Sequence, residues 1–177
     1  MALVALLKGA NVGGHRRFRP TVVAEQLQHL DVVNVGATGA FVVRGPVRRT
    51  ELRAEIANRL PFKAEIIICE GREITRLLSY DFFSDHARRA DIVRFAGVMS
   101  RAPRSAPELP MNLPSRGKWL LKVLARDGRF VVGLYRREMK VISELSRLDQ
   151  VFGVSVTTRS WGTLSAVGRV LDGSARR

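Results

Sequence analysis

The chain has 177 residues, 46% of them hydrophobic, and its near-neutral mean hydropathy allows one ordinary core or two small ones while excluding a disordered chain. Thirty Lys and Arg against 16 Asp and Glu give a formal charge of +14, a field that draws polyanions. Apolar runs such as Met1–Leu7 and Ile66–Cys69 fall far short of the roughly 20 residues that cross a bilayer, and no secretory signal pattern opens the chain, so no membrane partner and a cytoplasmic location are expected.

In chain order, the apolar run Ala2–Leu7 predicts a strand, and the loop Gly9-Ala10-Asn11-Val12-Gly13-Gly14 leaves it toward a helix over Thr21–Leu30, with Val23, Leu27 and Leu30 on one face. A glycine-rich turn after a strand frees backbone N–H groups for an anion, and Arg16, Arg17 and Arg19 follow at once. Gly9 and Gly14 have the separation of the phosphate-cradling pattern G-x-x-x-x-G-K-[ST], but His15 and Arg16 stand where its lysine and hydroxyl belong, so no nucleotide-hydrolysing machinery follows. Val32–Val35 and Ala40–Val43 read as a hairpin around Gly36-Ala37-Thr38-Gly39. Thr50 is placed to cap a helix that runs to Leu60 and stops at Pro61, ahead of a strand Ala64–Cys69 and a short helix Ile74–Tyr80.

The second half repeats this order. A strand Ile92–Met99 leads into Ala102–Ser115, whose prolines 103, 107, 110 and 114 predict an extended loop in place of a helix. A hairpin Trp119–Arg126 and Phe130–Arg136 turns at Asp127-Gly128, then a helix Met139–Phe152, a strand Val154–Thr158 and a helix Ser160–Leu171 close the chain. The expected fold is α+β, two degenerate ferredoxin-like βαββαβ halves over residues 1–90 and 91–177 that share pattern and negligible residue identity.

The charge excess is uneven: Ile92–Ser143 has eleven basic and three acidic residues, a balance of +8 in under a third of the chain. With Asp127-Gly128 as the turn, one hairpin face collects Lys118, Lys122, Arg126, Arg129 and Arg137 around Tyr135, which is how several RNA-binding modules present rings and cations. The same face, with Leu120, Leu124 and Val131, also reads as the contact between the two halves with cations at its rim. Because 25 of the 30 cations are arginine, codon usage alone is a further source of the charge. Cys69 reads as a buried filler, and His15, His29 and His86 have no metal-ligand spacing, so neither metal nor cofactor is expected.

A last motif, Thr157–Leu164, puts Arg159, hydroxyls and Trp161 at the start of the terminal helix, either as an anion site or as an ordinary Ser160 or Thr158 cap with Trp161 in the core. Together, Leu6-Leu7-Lys8-Gly9-Ala10-Asn11-Val12-Gly13-Gly14, Ala37-Thr38-Gly39-Ala40-Phe41-Val42-Val43 and Thr158-Arg159-Ser160-Trp161-Gly162-Thr163 resemble the bacterial domain-of-unknown-function family sixteen-ninety-seven, whose members read L-L-R-G-I-N-V-G-G, Q-S-G-N-V-V-F and A-R-N-W-N-T. The resemblance implies a duplicated ferredoxin-like fold and carries no activity. Ala37, Ala40, Ser160 and Gly162 stand where the family has amides, which leaves Gly9, Asn11, Gly13, Gly14, Arg159, Trp161 and Thr163 as the candidate ligand-binding set, joined by Arg16 beside the loop. No carboxylate or histidine lies in a motif, so catalytic residues stay unassigned. The favoured reading is a non-enzymatic binder of nucleic acid or another polyanion; the alternative is an enzyme or phosphometabolite binder at the Gly9–Gly14 loop. The two end motifs are expected to meet, with Asn11 and Arg159 hydrogen-bonded.

Overall fold

The structure, a computed structural model, describes residues 1–11, 14 and 17–173. The chain divides into two compact units, residues 1–78 with 163–177 and residues 79–162. The terminal helix, expected with the second half, is thus counted almost wholly with the first.

The first unit runs β1 (Leu3–Leu7), α1 (Pro20–Gln26), a 3-10 turn at Gln28–Leu30, β2 (Val32–Val35), β3 (Ala40–Val43), α2 (Arg49–Ala57), β4 (Ile66–Glu70) and α3 (Gly71–Leu78). Its sheet has the order β2-β3-β1-β4, antiparallel throughout, the arrangement of a ferredoxin-like βαββαβ unit. Alternation decides the faces. Leu3, Ala5, Leu7, Phe41, Val43, Ile66 and Ile68 join Val23 of α1, Leu27 at its C-terminal cap, and Leu52 and Ile56 of α2 in one core. Val4, Leu6, Val42, Ile67 and Cys69 on the other face are buried as well, as expected of strands apolar on both sides. Thr50 does not cap α2: the helix opens at Arg49, with no side-chain bond from Arg48 at the cap position, and Thr50 lies in the first turn.

The second unit runs β5 (Ile92–Met99), β6 (Met111–Leu113), β7 (Leu121–Asp127), β8 (Phe130–Arg136), α4 (Val141–Ser146), α5 (Leu148–Phe152) and β9 (Val156–Ser160), which passes directly into α6 (Trp161–Leu171). Its order β6-β7-β8-β5-β9 repeats the ferredoxin-like arrangement with one added edge strand. That strand, β6, lies in the proline-rich segment and pairs with β7, while Leu109, Met111 and Leu113 cover the core that a first helix would cover. The protein is therefore an α+β duplication whose second copy has exchanged its first helix for a loop and a short strand.

The register of β7 and β8 overturns the cationic face. Asp127 pairs with Phe130, so the two-residue loop is Gly128-Arg129, and positive φ at Gly128 alone fits a type II′ turn. A bulge between Val123 and Ala125 then adds a residue to β7, giving Leu121↔Tyr135 and Val123↔Gly133. Leu121 and Val123 thus share the core face with Val131 and Tyr135, opposite Lys122, whose partner is Leu134. Burial accordingly pushes the Tyr135 phenol above its ordinary value, against the nearby Arg137 charge. On the other face Ala96, Val98, Phe130, Val132 and Leu134 are buried, so no sheet face in this unit is open for bases to stack.

Candidate functional site

Around the first loop, Gly9, Asn11 and Gly14 all have positive φ. Asn11 Oδ1 accepts the Phe18 N–H at 3.0 Å, and Nδ2 donates to the carbonyls of Phe18, at 3.2 Å, and Ala37. One side chain therefore closes the loop on itself and ties it to the β2–β3 turn. Gly39 in that turn has φ +76, and a Cβ there would lie 2.7 Å from Leu7 Cδ1 and 3.1 Å from Phe18, so glycine is required twice over. Thr163, near the start of α6, brings its methyl to 3.8 Å from the Cβ position of Gly36. Gly13 and Arg16 of the candidate set lie outside the described residues. Arg17 turns back to donate to Gly14 O at 3.0 Å.

Loop, turn and Thr163 thus gather in the first unit around Gly36 and Ala37, while Arg159 and Trp161 belong to the second. Arg159 is 7% exposed and donates to Thr157 Oγ1 and Thr158 O, each at 2.8 Å. Burial draws its pKa down to about 10. Trp161 packs edge-on against Phe83, at 5.1 Å, and Phe82, at 6.2 Å, which favours the core-anchor reading. The expectation that Asn11 and Arg159 would be hydrogen-bonded holds, with protein groups as acceptors.

The five cations expected on one hairpin face are dispersed in role. Lys118 pairs with Glu138 at 2.6 Å, Arg126 donates to Gly128 O, Arg137 donates to Ala90 O, and Arg129 is a partly buried turn residue. Lys122 lies 5.1 Å from the centre of the Trp119 ring, which Arg136 also covers at 4.2 Å, so the ring that meets cations is Trp119 rather than Tyr135. Arg104 within the proline-rich segment and Arg101 and Arg116 at its two ends are exposed and hold no ion pair among the described residues. By unit, charge is even: fifteen Lys and Arg against eight Asp and Glu in each.

One cluster escaped sequence reading. Arg49, Glu70, Arg72, Glu73 and Arg76 line an open hollow of about 570 Å³. Glu70 is held by Arg72 and, at 3.1 Å, by Arg49, while Glu73 accepts the Glu70 N–H at 2.7 Å. Spacing along α2 and α3 hints at these residues, but only the β4 register brings them to one carboxylate. The bond from Arg72 lowers the Glu70 pKa most, with Arg49 adding to it. A folded-state pKa below the unfolded 4.5 means that the contribution is present above that value and lost as pH falls through the lowered one. Glu70→Gln is expected to flatten the acid limb of a stability–pH curve followed by urea unfolding; an unaltered acid limb would show the cluster to be neutral in stability.

The fold and these clusters define a basic, duplicated ferredoxin-like α+β protein. Among the described residues no helix is long and apolar enough to cross a membrane. The chain is similar to the solved structure of a conserved bacterial protein from Streptococcus pneumoniae, with 13% identity, a TM-score of 0.58, and coverage of 96% of this chain and 98% of that one. At that identity the likeness speaks for the fold alone. No protein-family profile matches the sequence, and no curated protein matches it.

Proposed function

We propose that this is a cytoplasmic, non-enzymatic protein that binds nucleic acid through its phosphate backbone, and that it belongs to the bacterial family its three motifs resemble. The observation that carries the reading is the group of exposed arginines, Arg101, Arg104 and Arg116, on a segment where Glu108 is the sole carboxylate between residues 100 and 120. Such side chains are available to replace the counterions of a polyanion without first breaking an ion pair. Because the faces of both sheets are buried, contact falls to phosphates and not to stacked bases, so affinity tracks charge and ignores sequence. The alternative, a phosphometabolite at the Gly9–Gly14 loop, is supported less, since the Asn11 amide already serves Phe18 and Ala37.

The test is a salt titration of duplex DNA binding by fluorescence anisotropy. Each phosphate contact contributes about 0.9 to the log–log slope, so changing Arg101, Arg104 and Arg116 together to Ser is expected to reduce the slope by about 2.7 and to weaken all sequences alike. Absence of binding by the unaltered protein at low salt would end this reading.

A further inference from the structure

The two edges of the first sheet are finished differently. Lys8 N–H donates to Glu65 O at 3.0 Å, and the β1–β4 register then turns the peptide groups of Ile66, Ile68 and Glu70 away from the sheet. Three of those six groups are taken by side chains: Arg53 donates to Ile66 O and Arg49 to Ile68 O, each at 3.4 Å, and the Glu73 carboxylate accepts the Glu70 N–H. Side chains so placed block the pairing of a further strand. At the opposite edge, Arg44 N–H donates to Asp31 O at 3.2 Å, and the β2–β3 register turns the peptide groups of Val32 and Asn34 outward. There, among the described residues, one of the four outward groups has a side-chain partner: Val32 O accepts from Gln28 Nε2 at 3.4 Å.

Beside this open edge, between α1 and β2, runs a cavity of about 500 Å³ lined in part by Thr21, Glu25, Gln28, Asp31, Asn34 and Arg44. Its edge-strand wall suits an extended chain. Asp31 and Arg44 satisfy each other through two bonds of 2.8 and 2.9 Å, whereas Glu25, exposed on α1, has no ion pair among the described residues. On a chain of charge +14 the groove therefore presents a carboxylate as its uncommitted charge, the reverse of what a nucleic acid seeks.

We infer that β2 accepts an extended peptide segment as an added strand in this groove, its backbone pairing with Val32 and Asn34 and a basic side chain meeting Glu25. Main-chain bonds supply the affinity, and Glu25 reads one alternate side chain. The groove shares no residue with the arginines Arg101, Arg104 and Arg116, so either reading stands or falls without the other.

The test uses the full chain and a labelled, end-blocked peptide of alternating valine and lysine, with a valine–glutamate peptide for comparison, followed by fluorescence anisotropy at physiological salt. The lysine peptide is expected to bind the more tightly. Asn34→Pro removes one outward N–H and spares the β2–β3 bonds, and is expected to weaken binding about tenfold or more as the added strand loses its pairing. Glu25→Lys, an exposed helical substitution that leaves the core intact, is expected to weaken the lysine peptide roughly threefold and to favour the glutamate peptide. Equal binding by folded Asn34→Pro, indifference of both peptides to Glu25→Lys, or no binding of either peptide would each overturn the inference. So would displacement of the peptide by duplex DNA, or a dimer of the unaltered protein that Asn34→Pro abolishes, since these assign the groove to another occupant.

Discussion

Gly133→Ala is expected to cost the second unit about 4 kcal/mol, beyond the 1–3 kcal/mol usual for overpacking. Gly133 pairs with Val123 beside the β7 bulge, and a Cβ built there lies 2.0 Å from Lys122 O and 2.9 Å from Phe95 Cε1. The first of these atoms belongs to the backbone of the neighbouring strand, so relief requires β7 to move, and Phe95, fully buried over the site, has no free space into which to turn. For a unit of this size the loss corresponds to a fall in melting temperature of more than about 15 °C. Gly153→Ala is the control, because its φ of +65 imposes a conformational cost of about 1 kcal/mol while nothing lies within 4 Å of the added methyl. Thermal unfolding followed by near-ultraviolet circular dichroism separates the two; equal losses would show that β7 yields easily and that the close approach is not a constraint.

Asn11→Ala is expected to remove about 2–3 kcal/mol, since it deletes three hydrogen bonds that hold the first loop and the β2–β3 turn. Asn11→Gly loses the same bonds but suits φ of 53° better, and should recover about 1 kcal/mol of that loss. Asn11→Asp keeps an acceptor for the Phe18 N–H and sets its second oxygen against the carbonyls of Phe18 and Ala37. Those acceptors disfavour ionisation, so the introduced carboxyl has a raised folded-state pKa and its variant gains stability, relative to Asn11→Ala, as pH falls and the carboxyl protonates. Urea unfolding of the three variants at neutral and acid pH measures this order. A loss below about 0.5 kcal/mol for Asn11→Ala would mean that the loop is held by something else.

Much of this fold is legible along the chain. The hairpin Val32–Val35 and Ala40–Val43 and the strand Ile92–Met99 lie where β-branched runs and their flanking turns put them, because local alternation and glycine are enough to specify each. The ferredoxin-like order of both halves likewise follows from element type and succession. Asp127-Gly128-Arg129 is different. A two-residue turn centred on Asp127-Gly128 or on Gly128-Arg129 satisfies local chemistry, and the choice falls to Leu121, Val123 and Val131, which must all face Phe95 and α5, with a bulge at Leu124 to keep them there. The residue that this bulge adds, and not the shift of the turn, sends Tyr135 to the core and Lys122 to the opposite face. The three residues of β6, enclosed by prolines, have no recognisable period of their own and become a strand only against β7. Composition and periodicity by themselves determined the class of fold and its charge; register, and with it which side chains share a face, was decided by long-range packing, because a strand's alternation has two equivalent phases until another element buries one of them.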